Sequence, residues 1–506
     1  MHEILKEITI MKNGVTKKFI VPDNTEEVAE IQQELATKAN TNHTHTEFYT
    51  KEEIDGKLTV APPEGAGAGQ LSLAVNGSGN VITDITLSNG VLTVTKGNVE
   101  GGVTTPTPSP EPNPNPGAGG GTSGSVDSDV TKPSPDEGGE STSNGDYKIL
   151  GVAIDETNPN PETAVTYTDD AVGMIPASQE FMDFFAVKPC VFKNGQVQYY
   201  LNPNDYTKKE DGSNADITTG NDGDVMVEIP RLGYNFNRVG DVLSVQLTNN
   251  PNNPDFCYLA HSRGDVVKDK LYVGAYLGCE SAGKLRSLSG KSVTGNKKID
   301  AFRAIAQANG KGYDQMAFYP LTLLQCMYLI MYKNLDSQTA LGKGYVGDNK
   351  VNARTGGSNL NGLNYGETTG RVQNKLFGIE DFWGNLNCII DGVVTSSGYD
   401  ILTSTENFDE RGQHYQFSVS SGFNSSGSGN LTKVQGVNHA GFIVKNFNDD
   451  TTRTSYYCDR AHLNAQSFMV LQGYRNYHNN SGCFSLNIGT NKNTAAFSTG
   501  ARLMYL

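Results

Sequence analysis

The chain has 506 residues, enough for two or more domains. Apolar residues make up 36% and charged residues 19%, and 57 glycines sit among long Ser, Thr and Asn stretches, which suits loop-rich structure better than a helical bundle. A net charge of −15 would repel phosphate backbones, so nucleic acid is not an expected partner. The most apolar stretch, Leu321–Met331, is too short to span a bilayer, and Met1–Leu5 opens no signal-peptide apolar region, so no membrane insertion is expected. The seven cysteines are scattered without a C-x-x-C pair and read as reduced core thiols.

In residues 1–58, Ile4-Leu5, Ile8, Ile10 and Phe19-Ile20-Val21 flank Asn13-Gly14, a hairpin signal. Asn24 and Glu27 are spaced as a helix cap and its reciprocal partner, and Val28, Ile31 and Leu35 follow as a narrow apolar stripe. A second short helix is expected from Thr50, with Glu53, Ile54 and Leu58. Such helices do not hold together alone, so parallel self-association into a homotrimer with a short coiled coil is expected.

Residues 59–102 turn to period two. Val81–Leu87 and Val91–Thr95 read as strands joined through Asn89-Gly90, a hairpin too small to stand alone that fits a β-rich shaft. In 103–146 every second position from Pro106 to Pro116 is proline and no aromatic residue occurs. That composition reads as a linker.

Residues 147–506 read as globular. Val191–Leu201 with Asn194-Gly195 predicts a hairpin and Val225–Ile229 a strand. Ile299, Phe302 and Ile305-Ala306 predict a helix stopping at Gly310, and Pro320 a buried helix carrying Leu323, Leu324, Met327, Tyr328 and Met331. The expected class is α+β, with short strands, few helices and long loops.

Three stretches carry a resemblance. Asn42-His43-Thr44-His45-Thr46, followed by Tyr49–Asp55, resembles a run near the N-terminus of many bacteriophage tail fibres. Phe377-Gly378-Ile379-Glu380-Asp381-Phe382-Trp383-Gly384-Asn385-Leu386 resembles the YGLYDMxGNVWEW signature of the formylglycine-generating-enzyme branch of C-type-lectin folds. The C-terminus, with Ser481-Gly482-Cys483-Phe484 and Gly500-Ala501-Arg502-Leu503, is similar to the variable segment of retroelement-diversified proteins of the major-tropism-determinant type. Leu285–Gly290 and Asp336–Thr339 also look like stretches of phage tail proteins.

The resemblance implies a C-type-lectin-like head over 147–506 on a trimeric fibrous stalk. It further implies a tail-fibre receptor-binding protein, made in the host cytoplasm and carried on the virion tail. Its partners would be tail or baseplate proteins and a host surface glycan or protein. Where the family signature continues with Trp-Glu, this chain has Asn387-Cys388, and Cys458 and Cys483 lie too far apart for the enzymes' cysteine motif. The oxidase chemistry is therefore not carried over, and no enzymatic activity is expected. The alternative is a tail-associated glycan depolymerase.

Tyr474-Arg475-Asn476-Tyr477-His478-Asn479-Asn480 packs seven hydrogen-bonding side chains in a row, residue types that combine rigid area with adaptable polar contacts. A solvated loop is the plain alternative. Phe484, Leu486 and Ile488 alternate with Ser485, Asn487 and Gly489, so one strand face is expected in the core and the other free. Ser485, Asn487, Asn491 and Asn493 join the candidate receptor contacts, while Phe484, Leu486 and Arg502 are expected to be structural. Three His43/His45 pairs on a trimer axis would supply six imidazoles, a set suited to one iron or other transition-metal ion. Gly290-Lys291-Ser292 lacks the upstream glycine of a P-loop, Asn221–Asp224 lacks the rest of a calcium loop, and Glu380 and Asp381 read as part of the fold.

Overall fold

The computed structural model describes residues 147–347, 351–471, 473 and 481–506, together with the backbone of five strands in the first hundred residues. The chain divides into two compact units, Met1–Gly138 and Gly139–Leu506.

In the first unit Leu5–Lys12 pairs antiparallel with Val15–Pro22, Lys12 opposite Val15, as the Asn13-Gly14 signal predicts. Val81–Ser88 pairs antiparallel with Val91–Gly97, which also runs parallel to Ser72–Asn76. The expected coiled coil, the linker, and His43 and His45 lie outside the described residues.

The second unit is mostly β-sheet with long loops, an α+β fold. Four α-helices occur among the described residues: α1 (Gln179–Phe185), α2 (Ile299–Gln307), α3 (Phe318–Tyr332) and α4 (Ser337–Ala340). A four-stranded sheet has the order Gly233–Val239, Val242–Thr248, Ile149–Asp155, Val165–Asp169. A seven-stranded sheet has the order Asp205–Lys209, Gln196–Asn202, Lys188–Lys193, Asp224–Pro230, Lys270–Gly274, Leu503–Tyr505, Tyr313–Gln315. Asn194 (φ 53°) and Gly195 (φ 81°) make the left-handed turn joining Lys188–Lys193 to Gln196–Asn202. In Asp224–Pro230 every residue up to Ile229 is buried, so both faces of this strand are covered.

A nine-stranded sheet carries the C-terminal half. Its central run is Asn387–Thr395, Phe468–Leu471, Leu486–Thr490, Arg460–Leu463 and Gly427–Val434, with Thr499–Gly500 parallel to the start of Asn387–Thr395. Helix α3 is buried over all fifteen residues. It starts at Phe318, two residues before the expected Pro320, which still falls in the first turn where its missing N–H costs nothing. Full burial of each Leu, Ile or Met on this helix stabilises by roughly 1.5–3 kcal/mol. All seven cysteines are free, six of them buried. Among the described residues no helix is long and apolar enough to cross a membrane.

Candidate receptor-binding surface

Gly384 lies at φ 95° in the loop between Ile379–Glu380 and Asn387–Thr395, which only glycine adopts without strain. The loop is pinned by Trp383, 1% exposed, whose Nε1–H donates to the Gly342 carbonyl at 3.0 Å while its ring meets Tyr328 of α3 edge-on. Gly473 packs against this turn. A Cβ there would stand 2.6 Å from the Leu386 carbonyl oxygen and 2.8 Å from the Gly384 nitrogen, so glycine is required by close approach. The Gly473 N–H donates to Asn387 Oδ1 at 3.0 Å.

Ser481, eight residues on, is fully buried and its carbonyl accepts from Gln338 Nε2 of α4. Cys483 N–H donates to Ser337 Oγ at 2.8 Å, Phe484 N–H to Asp459 Oδ2 at 2.8 Å, and Gln325 Nε2 of α3 to the Cys483 carbonyl at 2.8 Å. Phe484 is 0% exposed among Tyr328, Phe442 and Tyr457, with ring centroids at 5.7, 4.9 and 5.2 Å. Gly473 and Ser481, on either side of 474–480, are thus both built into the core. Residues Tyr474, Arg475, Asn476, Tyr477, His478, Asn479 and Asn480 themselves lie outside the described residues.

The strand that follows departs from the expected alternation. Ser485 is buried and donates its hydroxyl to the Arg460 carbonyl at 3.1 Å, so it is not a surface contact. The reason is local: the strand begins at Leu486, and Ser485 closes a turn in which its own N–H bonds to the Gly482 carbonyl. Asn487 is half-buried, and its Oδ1 is buried without a hydrogen bond between the flanking strands. Asn491 and Asn493 are exposed, joined by a bond from Asn493 N–H to Asn491 Oδ1 at 2.9 Å. The same loop carries Phe497, 57% exposed, and is fastened by Asn296 N–H to the Ala496 carbonyl. Leu486 is 2% exposed and Arg502 1%.

Burial raises the Asp459 carboxyl well above its ordinary range, with Asp336 adding to the effect against the Phe484 N–H. Burial, then the neighbouring Glu380, pushes Asp381 up to about 8. Glu380 accepts from Gly356 N–H, Ser358 N–H, Ser358 Oγ and Gln373 Nε2 at 2.7–3.0 Å. Both acids support the loop rather than face solvent, each no more than 2% exposed. Among the described residues no three His, Cys, Asp or Glu side chains converge as metal ligands do.

Sequence reading missed Ser337, Gln338, Asn387 and Asp459 as the holders of this frame. The Asp336–Thr339 run held one signal, since Asp336 caps α4 through Gln338 and Thr339 N–H, both at 3.1 Å. Asp459 had none. No family model matches the sequence, and no curated protein is significantly similar to it.

Proposed function

We propose that the chain is a receptor-binding protein of a bacteriophage tail fibre. Its second unit is a C-type-lectin-like head that presents residues 474–480 with Asn491 and Asn493 to the bacterial surface. The observation that carries this reading is the frame: a Tyr-, Asn- and Arg-rich segment whose two flanking residues, Gly473 and Ser481, are fixed in the core by backbone hydrogen bonds. Polar and aromatic residues held between rigid anchors are an arrangement by which scaffolds carry recognition. Exposed Phe497 adds an apolar contact beside Asn491 and Asn493.

Trimerisation through residues 1–100 would raise weak single-site affinity through effective concentration. Replacing Tyr474 and Tyr477 with Ala should abolish adsorption to host cells and leave the melting temperature nearly unchanged, each truncated anchor costing about 2 kcal/mol of binding. Adsorption equal to that of the parent chain would place the receptor site elsewhere. Incubation with host glycans tests the depolymerase alternative, which requires new reducing ends.

A further inference from the structure

A cleft elsewhere in the second unit shares no residue with the frame just described. This cleft, about 790 Å³, opens among the hairpin Ser262–Arg263/Val266–Val267, the segment after α2, and the paired strands Tyr313–Gln315 and Leu503–Tyr505. Its inner wall is mixed: Tyr313 and Tyr505 meet edge-on at 5.0 Å beside buried Leu506, Gln307, Gly310 and Gly312 complete it, and Val266, 55% exposed, stands at the lip. Its charged lining is nonetheless basic for a chain of net charge −15, with Arg263, Lys268 and Lys311 against the acidic side chain of Asp314 and the carboxylate of the last residue, Leu506.

The carboxylates behind the cleft are already spent. Asp391 accepts from Arg303 Nε at 2.7 Å, Arg303 Nη2 at 3.0 Å and Gln315 Nε2 at 2.8 Å, and Glu410 takes Arg303 Nη1 at 2.7 Å. Arg263 spends Nη1 on the Thr405 carbonyl at 2.8 Å and lies over the Phe408 ring at 5.0 Å. Its buried Nη2 has no hydrogen-bond acceptor and forms an ion pair with Asp314 Oδ2 at 3.9 Å. Among the described residues neither Lys268 nor Lys311 pairs with a carboxylate, and both are exposed. Positive charge gathered over a low-dielectric wall focuses field on anions, and charge-assisted hydrogen bonds to them are the strong ones.

We propose that this cleft is a second binding site, for an anionic unit of a surface saccharide. The sugar ring lies against Tyr505 and Val266, and its acid group faces the exposed Lys268 and Lys311 with the Arg263 guanidinium behind them. An open cleft with an aromatic and aliphatic patch and a few placed charges accepts one unit of a longer chain. The saccharide part rests on the surface-adhesion reading above, whereas the anion part rests on the cleft alone.

Titration calorimetry of the full chain with an oligogalacturonate, a glycerol-phosphate oligomer and a neutral galactose oligomer tests this. Either anionic oligomer should bind, the stronger of the two naming carboxylate or phosphate as the source of charge, and the neutral oligomer should not. Binding should weaken at least about tenfold between about 0.05 M and about 0.5 M NaCl. It should weaken similarly in a Lys268→Glu, Lys311→Glu variant that melts as the parent does. Equal binding of the neutral oligomer, no binding of either anion, or full affinity in the charge-reversed variant overturns the proposal. Titration of the Tyr474→Ala, Tyr477→Ala variant separates the two readings, since loss of adsorption with an intact cleft isotherm leaves both sites standing independently.

Discussion

Arg502 binds Glu380 through its carbonyl rather than its carboxylate, with Nη2 2.8 Å from the Glu380 carbonyl oxygen. The same nitrogen lies 2.9 Å from the Asp381 carbonyl, and Nη1 lies 2.9 Å from that of Gly274. One buried guanidinium therefore ties the seven-stranded sheet to the loop that holds Trp383. Arg502→Met should destabilise the second unit by roughly 3 kcal/mol or more, because three buried carbonyls lose their donor. Arg502→Lys should rescue little, since an ammonium cannot reproduce the planar fork. Urea unfolding of the full chain followed by near-UV circular dichroism measures both, and an unfolding midpoint unchanged in the Met variant would refute the role.

Ser337 and Phe484 should separate when mutated. Phe484→Ala empties a site lined by three aromatic rings and should cost about 3–5 kcal/mol. Ser337→Ala removes the acceptor of the Cys483 N–H and should cost only about 1–3 kcal/mol. Under the adhesion reading, the Ser337 variant should still lose adsorption out of proportion to its melting shift, because it loosens one anchor of 474–480. Adsorption falling only in step with unfolded fraction would remove Ser337 from the site.

The elements legible in the sequence are those whose causes are local. Asn194-Gly195 carries the turn it makes, and Leu321–Met331 announces a buried helix by composition alone. The frame was not legible because its partners are remote: Ser337 and Cys483 are 146 positions apart, and Arg502 and Gly274 are 228 apart. No periodicity records such pairs. Ser485 was misplaced for a different reason, as alternation was extended one residue beyond the strand's start, into a turn where the backbone of Arg460 takes the hydroxyl.

Residues 1–100 should assemble the chain as a trimer. In the first unit Leu5–Lys12 pairs only with Val15–Pro22 among the described residues, and a two-stranded ribbon of this size is marginal in water. Multi-angle light scattering of the intact chain should return three times the chain mass of 54.5 kDa. A chain lacking residues 1–100 should return fewer than three copies of its own chain mass. A monomeric intact chain at micromolar concentration sinks the assembly and the avidity argument with it.

Asp314 should make the second unit sensitive to alkali rather than acid at one position. It is 9% exposed, its Oδ1 accepts the Gln315 N–H at 3.0 Å, and burial with the Asp391 charge pushes its carboxyl up to about 6. Arg263 and Gln307 oppose that shift without cancelling it. A carboxyl raised above its unfolded value holds its proton more tightly in the folded state. Its favourable contribution is therefore complete below about pH 4 and is lost as pH rises through about 6. Asn at this position keeps an oxygen for the Gln315 N–H and cannot ionise. Asp314→Asn should thus be the more stable protein at pH 8, by up to about 3 kcal/mol, with the gap closing as pH falls from 6 to 4. Denaturant titrations at stepped pH read this directly. A gap between variant and parent that stays constant from pH 4 to pH 8 would mean that Asp314 titrates alike in the folded and unfolded chain, and would refute the raised carboxyl.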